Sequence, residues 1–423
     1  MRKMKAVAAI MLGVMLFASN THPSYKAGGI QMKAEMIKKG LLSISFLCML
    51  ATVCGCGKST ALEDLSEVTE NTSDRSNYFP GNSVAETQNG YYMWDVSGKH
   101  LLFFDKESKK QVLLCNKPDC EHQIVSAVEI ETPEDCSSYF SSDYVMNKIW
   151  AYGNSLFVLQ KVEGEGLYLT QISSDGSIRK PLVCLSENMK EEVSLIVHNG
   201  FAYFSKGASD GTEGTRELYQ VELKENAKPE KIDEITGTIP LITHIKGYGD
   251  DIYYVVFHCE NYDAENVLDA TMYYQLKKYD TAAKECSTVS DELIDDYVID
   301  EADEMLYYHV CGGDVYKMNL KDASVEDIYQ EDTLALARLA YDGTYVYVDN
   351  FQSYISGAAA ERKVLAIEKD SMEQTEIVPD ENTGNNLFEY GDGAYMFCLG
   401  TKDWVMLDKS KTFSWEVMKV EGM

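Results

Sequence analysis

Standard catalytic and metal-binding motifs are missing from this sequence of 423 residues. It contains no Gly-x-Ser-x-Gly nucleophile motif, no His-Glu-x-x-His pair and no EF-hand loop. Each of these motifs places reactive groups by a fixed local geometry, so their absence excludes the corresponding serine hydrolase, zinc protease and EF-hand calcium protein. The sequence therefore identifies no catalytic residue, and we expect a protein that is not an enzyme and has no organic cofactor.

Proline is also scarce, with eight residues, whereas tyrosine is abundant, with 28. Tyrosine, valine and isoleucine recur in short runs that are separated by turn-forming residues. Aromatic and β-branched side chains suit the pleated surface of a sheet, and the turn residues mark where one strand ends and the next begins. The composition therefore predicts an all-β fold.

Basic residues are few relative to acidic ones. Residues 1–55 contain seven of the 38 Lys and Arg residues and one of the 68 Asp and Glu residues. The remaining 368 residues therefore carry 31 basic and 67 acidic residues, a net charge of −36. Such a surface repels phosphate backbones and anionic lipids. We expect no nucleic-acid partner, and membrane attachment through acyl chains only.

A short apolar run, Leu41–Val53, follows Lys38-Lys39 and leads to Cys56. A basic segment, a short apolar stretch and a small residue before a cysteine are typical of an export signal, and the run is too short to span a bilayer comfortably. The segment resembles the lipobox of bacterial lipoproteins. The resemblance implies that the chain is cut before Cys56, diacylated on its sulfur, and tethered on the extracytoplasmic side of the cell membrane.

Two alternatives concern this leader. Cys54 also follows apolar residues, but Cys56 has Gly55 directly before it, as lipoboxes usually do. A second basic-then-apolar unit near the first residue makes the leader redundant, so translation that starts at Met32 or Met36 is an alternative to a long two-part leader. We assign residues 1–55 to the leader, 56–77 to a lipidated, disordered tether rich in Ser, Thr, Glu and Asp, and 78–423 to the folded domain.

One unit recurs along the folded domain: a turn, a short aromatic or β-branched strand, and then further strands that are separated by charged turns. The turns are mostly Asn-Gly or Asp-Gly, which supply the positive φ that tight hairpins need. The strands that follow them are Tyr91–Val96, Leu156–Gln160, Phe201–Ser205, Ile252–His258, Met305–Val310, Thr344–Asp349 and Ala394–Leu399.

Seven such units, mostly 40–55 residues apart, predict a β-propeller of seven four-stranded blades. Six or eight blades remain compatible, because residues before Gln88 can supply a strand that closes the ring. A pair of β-sandwiches or an open solenoid is the alternative architecture.

The chain resembles exported, propeller-forming lipoproteins of unassigned function that are common in clostridial gut bacteria. The resemblance covers about residues 36–423 and depends on the lipobox, the repeated turns and the segment Leu114–His122, which reads LCNKPDCEH. It implies the fold and the location, and no known reaction.

Ligand chemistry is concentrated in an insertion at about residues 115–142, where two successive turns lie unusually far apart. Three thiols and one imidazole suit a tetrahedral zinc site, although their Cys-x4-Cys-x-His-x13-Cys spacing is not that of a standard zinc finger. A disulfide, most simply Cys120–Cys136, and unpaired cysteines are the alternatives. In each case the insertion is expected to be a structural clip on one blade. The four residues are Cys115, Cys120, His122 and Cys136.

Other chemically interesting residues are expected to be structural. Cysteines 259, 311 and 398 lie in equivalent apolar strands and are expected to be buried free thiols. The histidines at positions 258 and 309 are expected to be core or edge residues, and the tryptophans at 94, 150, 404 and 415 are expected to pack in the core. The acidic run Asp291–Glu304 is expected to be a solvated blade edge rather than a calcium site.

The expected function is that of a non-enzymatic, monomeric propeller, tethered to the cell surface, that binds a protein, a peptide or a glycan. An extracellular carbohydrate-active hydrolase or lyase is the first alternative, and a scaffold for envelope protein assembly is the second. Two or three carboxylates or histidines that converge near the centre of the propeller would favour the enzyme, since acid–base catalysis needs such groups together.

Overall fold

The computed structural model describes residues 61–68, 74–207, 213–261, 270–379, 382–383, 388–411 and 413–421. Within these ranges nearly all regular structure is β, as predicted. The predicted leader and both candidate lipidation residues lie outside the described residues. None of the helices in the described ranges is long and apolar enough to cross a membrane.

The strands form antiparallel sheets in chain order, which we divide into units of four strands. Unit 1 contains β1 (Val84–Glu86), β2 (Gly90–Trp94), β3 (Leu101–Asp105) and β4 (Gln111–Leu113). A separate hairpin follows, with strands β5 (Gln123–Ser126) and β6 (Glu129–Glu131). Unit 2 contains β7 (Tyr144–Tyr152), β8 (Ser155–Val162), β9 (Gly166–Ile172) and β10 (Arg179–Ser186).

The next sheet has seven strands: β11 (Ser194–His198), β12 (Phe201–Lys206), β13 (Glu213–Glu222), β14 (Glu230–Tyr248), β15 (Asp251–Glu260), β16 (Thr271–Asp280) and β17 (Glu285–Ser290). Strand β14 is 19 residues long and serves two units. Its first half pairs with β13 up to Thr238, and its second half pairs with β15 from Thr238 to Tyr248. We call β11–β13 with the first half of β14 unit 3, and the second half with β15–β17 unit 4.

Three further sheets complete the chain. Unit 5 contains β18 (Ile294–Asp300), β19 (Met305–Val310), β20 (Val315–Asn319) and β21 (Val325–Tyr329). Unit 6 contains β22 (Arg338–Tyr341), β23 (Tyr345–Asp349), β24 (Val364–Glu368) and β25 (Gln374–Ile377), with the short helix α1 (Phe351–Ile355) between β23 and β24. Unit 7 contains β26 (Tyr390–Gly391), β27 (Tyr395–Leu399), β28 (Trp404–Asp408) and β29 (Ser414–Met418). The last strand, β30 (Val420–Glu421), returns to pair in parallel with β4 of unit 1.

Local sequence explains the hairpins and the burial pattern. Asn199 and Gly200 join β11 to β12, and both have the positive φ, 46° and 79°, that the predicted tight turn requires. Strands near the start of a unit are buried on both faces, as every residue of β2 and β18 is buried. Strands at the end of a unit are largely exposed, as in β17 and β25. The early strands are therefore covered on both faces by neighbouring sheets.

The apolar core lies between consecutive units. Seven clusters of buried side chains each combine two units, in the pairs 1–2, 2–3, 3–4, 4–5, 5–6, 6–7 and 7–1. In the last of these, the Trp404 indole is buried against unit 1 and donates a hydrogen bond of 2.7 Å to the carbonyl oxygen of Trp94. The first and last units are therefore in direct contact.

The segment before β1 lies among the first strands of the units. Its 3₁₀ helix, Asp74–Tyr78, contacts β1, β11, β14, β18, β22 and β26. The Asn77 side-chain oxygen accepts a hydrogen bond of 3.0 Å from the backbone of Gly247, and the Tyr78 hydroxyl donates one of 2.8 Å to Glu301. These partners lie where first strands end and turn into second strands.

The N-terminal boundary of the fold differs from the prediction. Asn77, which was assigned to the disordered tether, is buried. Farther upstream, the Glu63 carboxylate accepts a hydrogen bond of 2.7 Å from the backbone of Asn154, and Leu65 and Val68 pack against the cluster between units 2 and 3. Polar composition suggested disorder, but here the short polar side chains satisfy buried backbone groups that would otherwise lack partners.

Candidate functional site

Six ionisable residues from units 4, 5 and 6 lie close together inside the described fold. We call them the His–Asp cluster. They are His244, Lys246, Asp295, Asp296, His309 and Arg338.

Asp295 and Asp296 enter the interior because β18 is buried along its whole length. The prediction that the run Asp291–Glu304 is a solvated edge is therefore wrong for these two residues and for Asp300, which are all buried. The prediction is correct for residues 303 and 304, which are exposed. The acidic groups that reach solvent lie before β18, at Asp291 and Glu292, and in the turn between β18 and β19.

Asp296 is held as a carboxylate. Its side chain pairs with the Lys246 ammonium at 3.1 Å and accepts a hydrogen bond of 2.8 Å from the backbone N–H of Leu339. Burial opposes ionisation, but Lys246, His244 and the backbone donors outweigh it and lower the pKa of Asp296. This carboxylate therefore links unit 5 to units 4 and 6.

Asp295 is paired with His309. One carboxylate oxygen lies 2.5 Å from His309 Nδ1, and the other accepts a hydrogen bond of 3.2 Å from the backbone N–H of Ala337. Burial lowers the pKa of His309, but Asp295 and the nearby carbonyls of Leu334 and Gly313 outweigh it, so the pKa is raised. His309 is a buried core histidine, as predicted, and in this setting favours its charged form.

His244 has the opposite environment. Burial lowers its pKa, and the positive charges of Lys246 and Arg338 lower it further. Asp296 and Asp295 raise the pKa by less than this, so the imidazole favours its neutral form. It lies deep in the protein but keeps accessible surface. Its backbone φ is +47°, a conformation that is uncommon outside glycine and is found at functional sites when the surroundings enforce it.

Two members of the cluster, Asp295 and Arg338, lie toward the opposite end of their strands from the N-terminal segment. Asp295 is near the start of β18 and Arg338 begins β22, whereas the segment contacts Glu301 and the backbone oxygen of Asp342, just beyond the ends of those strands. A separation of four to six residues corresponds to about 13–20 Å along a strand. The N-terminal segment therefore covers one end of the first strands and leaves Asp295 and Arg338 toward the other, whereas Lys246 is adjacent to Gly247, which the segment contacts.

Sequence analysis missed this cluster. The available signal was the presence of two adjacent carboxylates inside an otherwise apolar strand, Ile294–Asp300, which is costly unless they are paired. Their partners come from β14, β19 and β22, and no local pattern in the sequence connects those strands.

The predicted ligand residues of the insertion are brought together. One ligand atom from each of Cys115, Cys120, His122 and Cys136 lies within 4.8 Å of the other three. The Cys136 sulfur is 3.4 Å from His122 Nε2, and all three cysteines are free thiols. Removal from water and contacts with the other two thiols raise the pKa of Cys120 to about 12.

The insertion contacts three units, so the prediction that it lies on one blade is wrong. The backbone N–H of Ala127, at the tip of the β5–β6 hairpin, donates a hydrogen bond of 3.0 Å to Asp403 of unit 7, and its carbonyl accepts one from Val96 of unit 1. Arg179 of unit 2 donates a hydrogen bond of 2.6 Å to the carbonyl of Ser137. The insertion therefore bridges the contact between the first and last units.

The remaining predicted residues are structural. Cysteines 259, 311 and 398 and tryptophans 94, 150 and 404 are buried in the core clusters, as expected. Trp415 is partly exposed and packs at the edge of the cluster between units 6 and 7. His258 stacks on Tyr273 with ring centroids 4.7 Å apart, at the edge of unit 4.

Comparison with known proteins shows which solved structures have a similar fold. No protein-family profile matches the sequence, and no curated protein matches it. A puromycin-hydrolyzing peptidase of Mycobacterium tuberculosis aligns with a TM-score of 0.53 at 11% identity, over 82% of this chain and 54% of the peptidase. An oligogalacturonate lyase of Vibrio parahaemolyticus aligns with a TM-score of 0.41 at 12% identity, over 75% of this chain and 84% of the lyase. The structural neighbours are of propeller type, and the chain spans about half the length of the peptidase.

The comparison corrects the expected function. The sequence predicted a non-enzymatic binding propeller, whereas the structural neighbours are hydrolases and lyases. The enzyme alternative agrees better with the peptidase, whose TM-score is 0.53. The likeness at 11% identity shows the fold alone, so the chemistry has to be argued from the residues of this chain.

The Asp295–His309 pair predicts a dependence of stability on pH. The folded state raises the pKa of His309 above 6.5, so the pair stabilises the fold fully below pH 6.5 and less as the pH rises through the raised pKa. Asp295→Asn should therefore cost most at the acid end, about 3 kcal/mol, and progressively less above it. Thermal unfolding from about pH 5.5 to about pH 9 measures this. Asp250→Asn, at an exposed turn, is the matched control, and a cost for Asp295→Asn that is equal at every pH would contradict the assignment.

Proposed function

We propose that the protein is an extracytoplasmic enzyme of the hydrolase or lyase class, in which the His–Asp cluster of a closed, seven-bladed propeller is the acid–base site. The observation that carries the proposal is the convergence of two histidines with opposite pKa shifts, two carboxylates and two cations from three units. Pairs of titratable groups whose environments move their pKa values apart mark acid and base roles in catalytic sites.

The seven interfaces support the closed ring. Each unit shares a cluster of buried side chains with the unit before it and the unit after it, and units 7 and 1 share one as well. A four-stranded sheet cannot bury both of its faces alone, and a ring gives every sheet two neighbours without leaving an apolar end. The first strands then surround the axis, and the N-terminal segment occupies one end of it.

His244 is the residue that we assign as general base. It favours the neutral form, which accepts a proton, and it keeps accessible surface although it lies deep in the protein. Asp296 and Lys246 hold each other in place beside it, and the Tyr297 hydroxyl donates a hydrogen bond of 2.7 Å to the His244 backbone carbonyl. The Thr243 hydroxyl lies 3.2 Å from His244 Nδ1 and helps to orient the imidazole, as acid–base catalysis requires.

Arg338 supplies positive charge near the base. It is the first residue of β22 and lies close enough to His244 for its charge to lower the pKa of the imidazole. Its side chain is partly exposed. A guanidinium suits the recognition of a substrate carboxylate and the stabilisation of negative charge that develops during reaction. Substrate would approach from the end of the first strands that the N-terminal segment does not cover.

This set of groups suits elimination better than glycoside hydrolysis. Hydrolysis of a glycoside uses two carboxyl groups that act directly on the sugar, whereas both aspartates here are engaged with His309 and Lys246. In elimination, His244 takes the proton from the carbon beside a substrate carboxylate, a carbon–carbon double bond forms, and the glycosidic oxygen leaves and takes up a proton. The substrate class is therefore a uronate-containing oligosaccharide.

Replacement of the base tests the assignment. His244→Gln should lower the turnover of an oligouronide substrate by at least about 100-fold. With the wild-type protein, turnover should fall as the pH drops through the lowered pKa of His244, below its ordinary value of 6.5, because the imidazole then becomes protonated. Ultraviolet absorbance of the unsaturated product measures the rate over a panel of uronate oligosaccharides.

His258→Gln is the matched control, since His258 lies at the edge of unit 4 and outside the cluster. Equal rates for His244→Gln and wild type, at equal thermal stability, would overturn the role of His244. Cleavage of a peptide panel with no action on oligouronides would overturn the elimination chemistry and leave the peptide-hydrolase alternative.

Lipidation at Cys56 belongs to the same proposal. Ala61, the first described residue, lies five positions beyond Cys56, at most about 18 Å of extended chain. From Glu63 onward the segment packs on unit 2 at the turn that contains Asn154. An acyl anchor would therefore hold the end of the propeller that the N-terminal segment covers close to the membrane, with Asp295 and Arg338 toward the opposite end.

Two cysteine variants test the anchor. Cys56→Ala should move the protein from the membrane fraction to the soluble fraction and abolish palmitate labelling, because the sulfur that carries the diacyl group is gone. Cell fractionation and labelling measure both effects, with Cys54→Ala as the control. Release by Cys54→Ala but not by Cys56→Ala would show that the lipid is on the other cysteine.

A further inference from the structure

The insertion carries a second chemical centre that is independent of the proposed catalysis. We propose that Cys115, Cys120, His122 and Cys136 bind one zinc ion in a tetrahedral site. The three thiol sulfurs and one imidazole nitrogen all lie within 4.8 Å of one another.

The dimensions fit zinc. Bond lengths of about 2.3 Å to sulfur and about 2.0 Å to nitrogen place the ligand atoms of a tetrahedral site about 3.5–3.8 Å apart. The Cys136 sulfur lies 3.4 Å from His122 Nε2, which is close to that separation. The wider members of the group need to move by less than about 1 Å to reach it.

A disulfide explains less of the arrangement. A bridge would use two of the three cysteines and would leave the third thiol and the imidazole in the same small volume without a role. The structure has all three as free thiols, and the histidine is directed at a sulfur. Three cysteines and one histidine are a ligand set that structural zinc sites use, and binding releases the thiol protons to solvent without any change of oxidation state.

Contacts around the site hold the ligand loops in place. The Lys117 ammonium pairs with Asp135 at 2.6 Å, which connects the loop of the first two cysteines to the residue before Cys136. The Cys136 sulfur also lies 3.1 Å from the Ser138 hydroxyl. Outer contacts of this kind orient ligands in metal sites.

The position of the site gives it a structural role. The insertion contacts unit 7 through Asp403, unit 1 through Val96 and unit 2 through Arg179. Apolar side chains of its hairpin pack on the cluster between units 7 and 1, and a metal ion that ties both ends of the insertion would keep these three contacts in register. The zinc is therefore expected to stabilise the closure between the first and last units rather than to take part in the reaction.

Metal content and spectroscopy test the proposal. Protein purified under reducing conditions without chelator, then exposed to zinc and desalted, should carry about one zinc per chain by mass spectrometry of the metal. Cobalt in place of zinc should give the visible absorption of a tetrahedral thiolate site. His122→Ala should lose most of the bound metal, and Cys184→Ser, at a cysteine outside the insertion, should retain it.

A chelator should lower the melting temperature of the wild type and leave that of His122→Ala unchanged. Less than about 0.1 zinc per chain after reconstitution, with a folded protein, would overturn the proposal. So would non-reduced peptides that join Cys120 to Cys136 in protein isolated from its native compartment. If His122→Ala fails to fold, Cys120→Ser, at the partly exposed ligand, provides the same comparison.

Discussion

The contact between Trp404 and Trp94 is the interaction on which the rest of the structure depends. Each unit exposes two apolar faces, and six of the seven interfaces join units that are adjacent in the chain. The interface between units 7 and 1 joins residues about 310 positions apart, so chain connectivity does nothing to form it. The buried indole contributes apolar area to this interface, and its N–H hydrogen bond fixes how the two units are oriented. Strand β30, which returns to β4, adds backbone pairing at the same place.

Packing of neighbouring units against one another creates the interior in which charged groups can be held. Asp295 and Asp296 would be expensive to bury in a single sheet, because a desolvated carboxylate needs partners on more than one side. Here the partners come from units 4 and 6, which both pack against unit 5. The pKa values of His244 and His309 move in opposite directions, because burial dominates at His244, whereas the Asp295 carboxylate outweighs burial at His309.

Much of the fold could be predicted from the sequence because it is encoded locally. Turns such as Asn199-Gly200 and aromatic strands such as β2 have signatures a few residues long, and their repetition predicts stacked sheets. The cysteine and histidine residues of the insertion could also be grouped, since metal ligands are recognised by type and spacing. These features need no knowledge of distant contacts.

The features that could not be predicted from the sequence depend on contacts between units. The sequence gives no sign that β14 continues from one unit into the next, or that Asn77 lies among the first strands. Acidic residues in a turn-rich repeat are most often solvated, so Asp295 and Asp296 were assigned to an edge although they lie inside. The insertion was placed on one blade because its contacts with Asp403 and Arg179 come from units far away in the chain.

Ring closure through Trp404 is the central claim, and hydrogen exchange of a Trp404→Ala variant tests it most directly. The cavity should cost about 3–5 kcal/mol and open the interface on both sides. Amide protection should therefore fall in unit 1 as well as in unit 7, while units 3 to 5 keep theirs. Trp415→Ala, at a partly exposed indole of unit 7, should leave unit 1 protected. Loss of protection in unit 7 alone, with unit 1 unchanged, would contradict a closed ring.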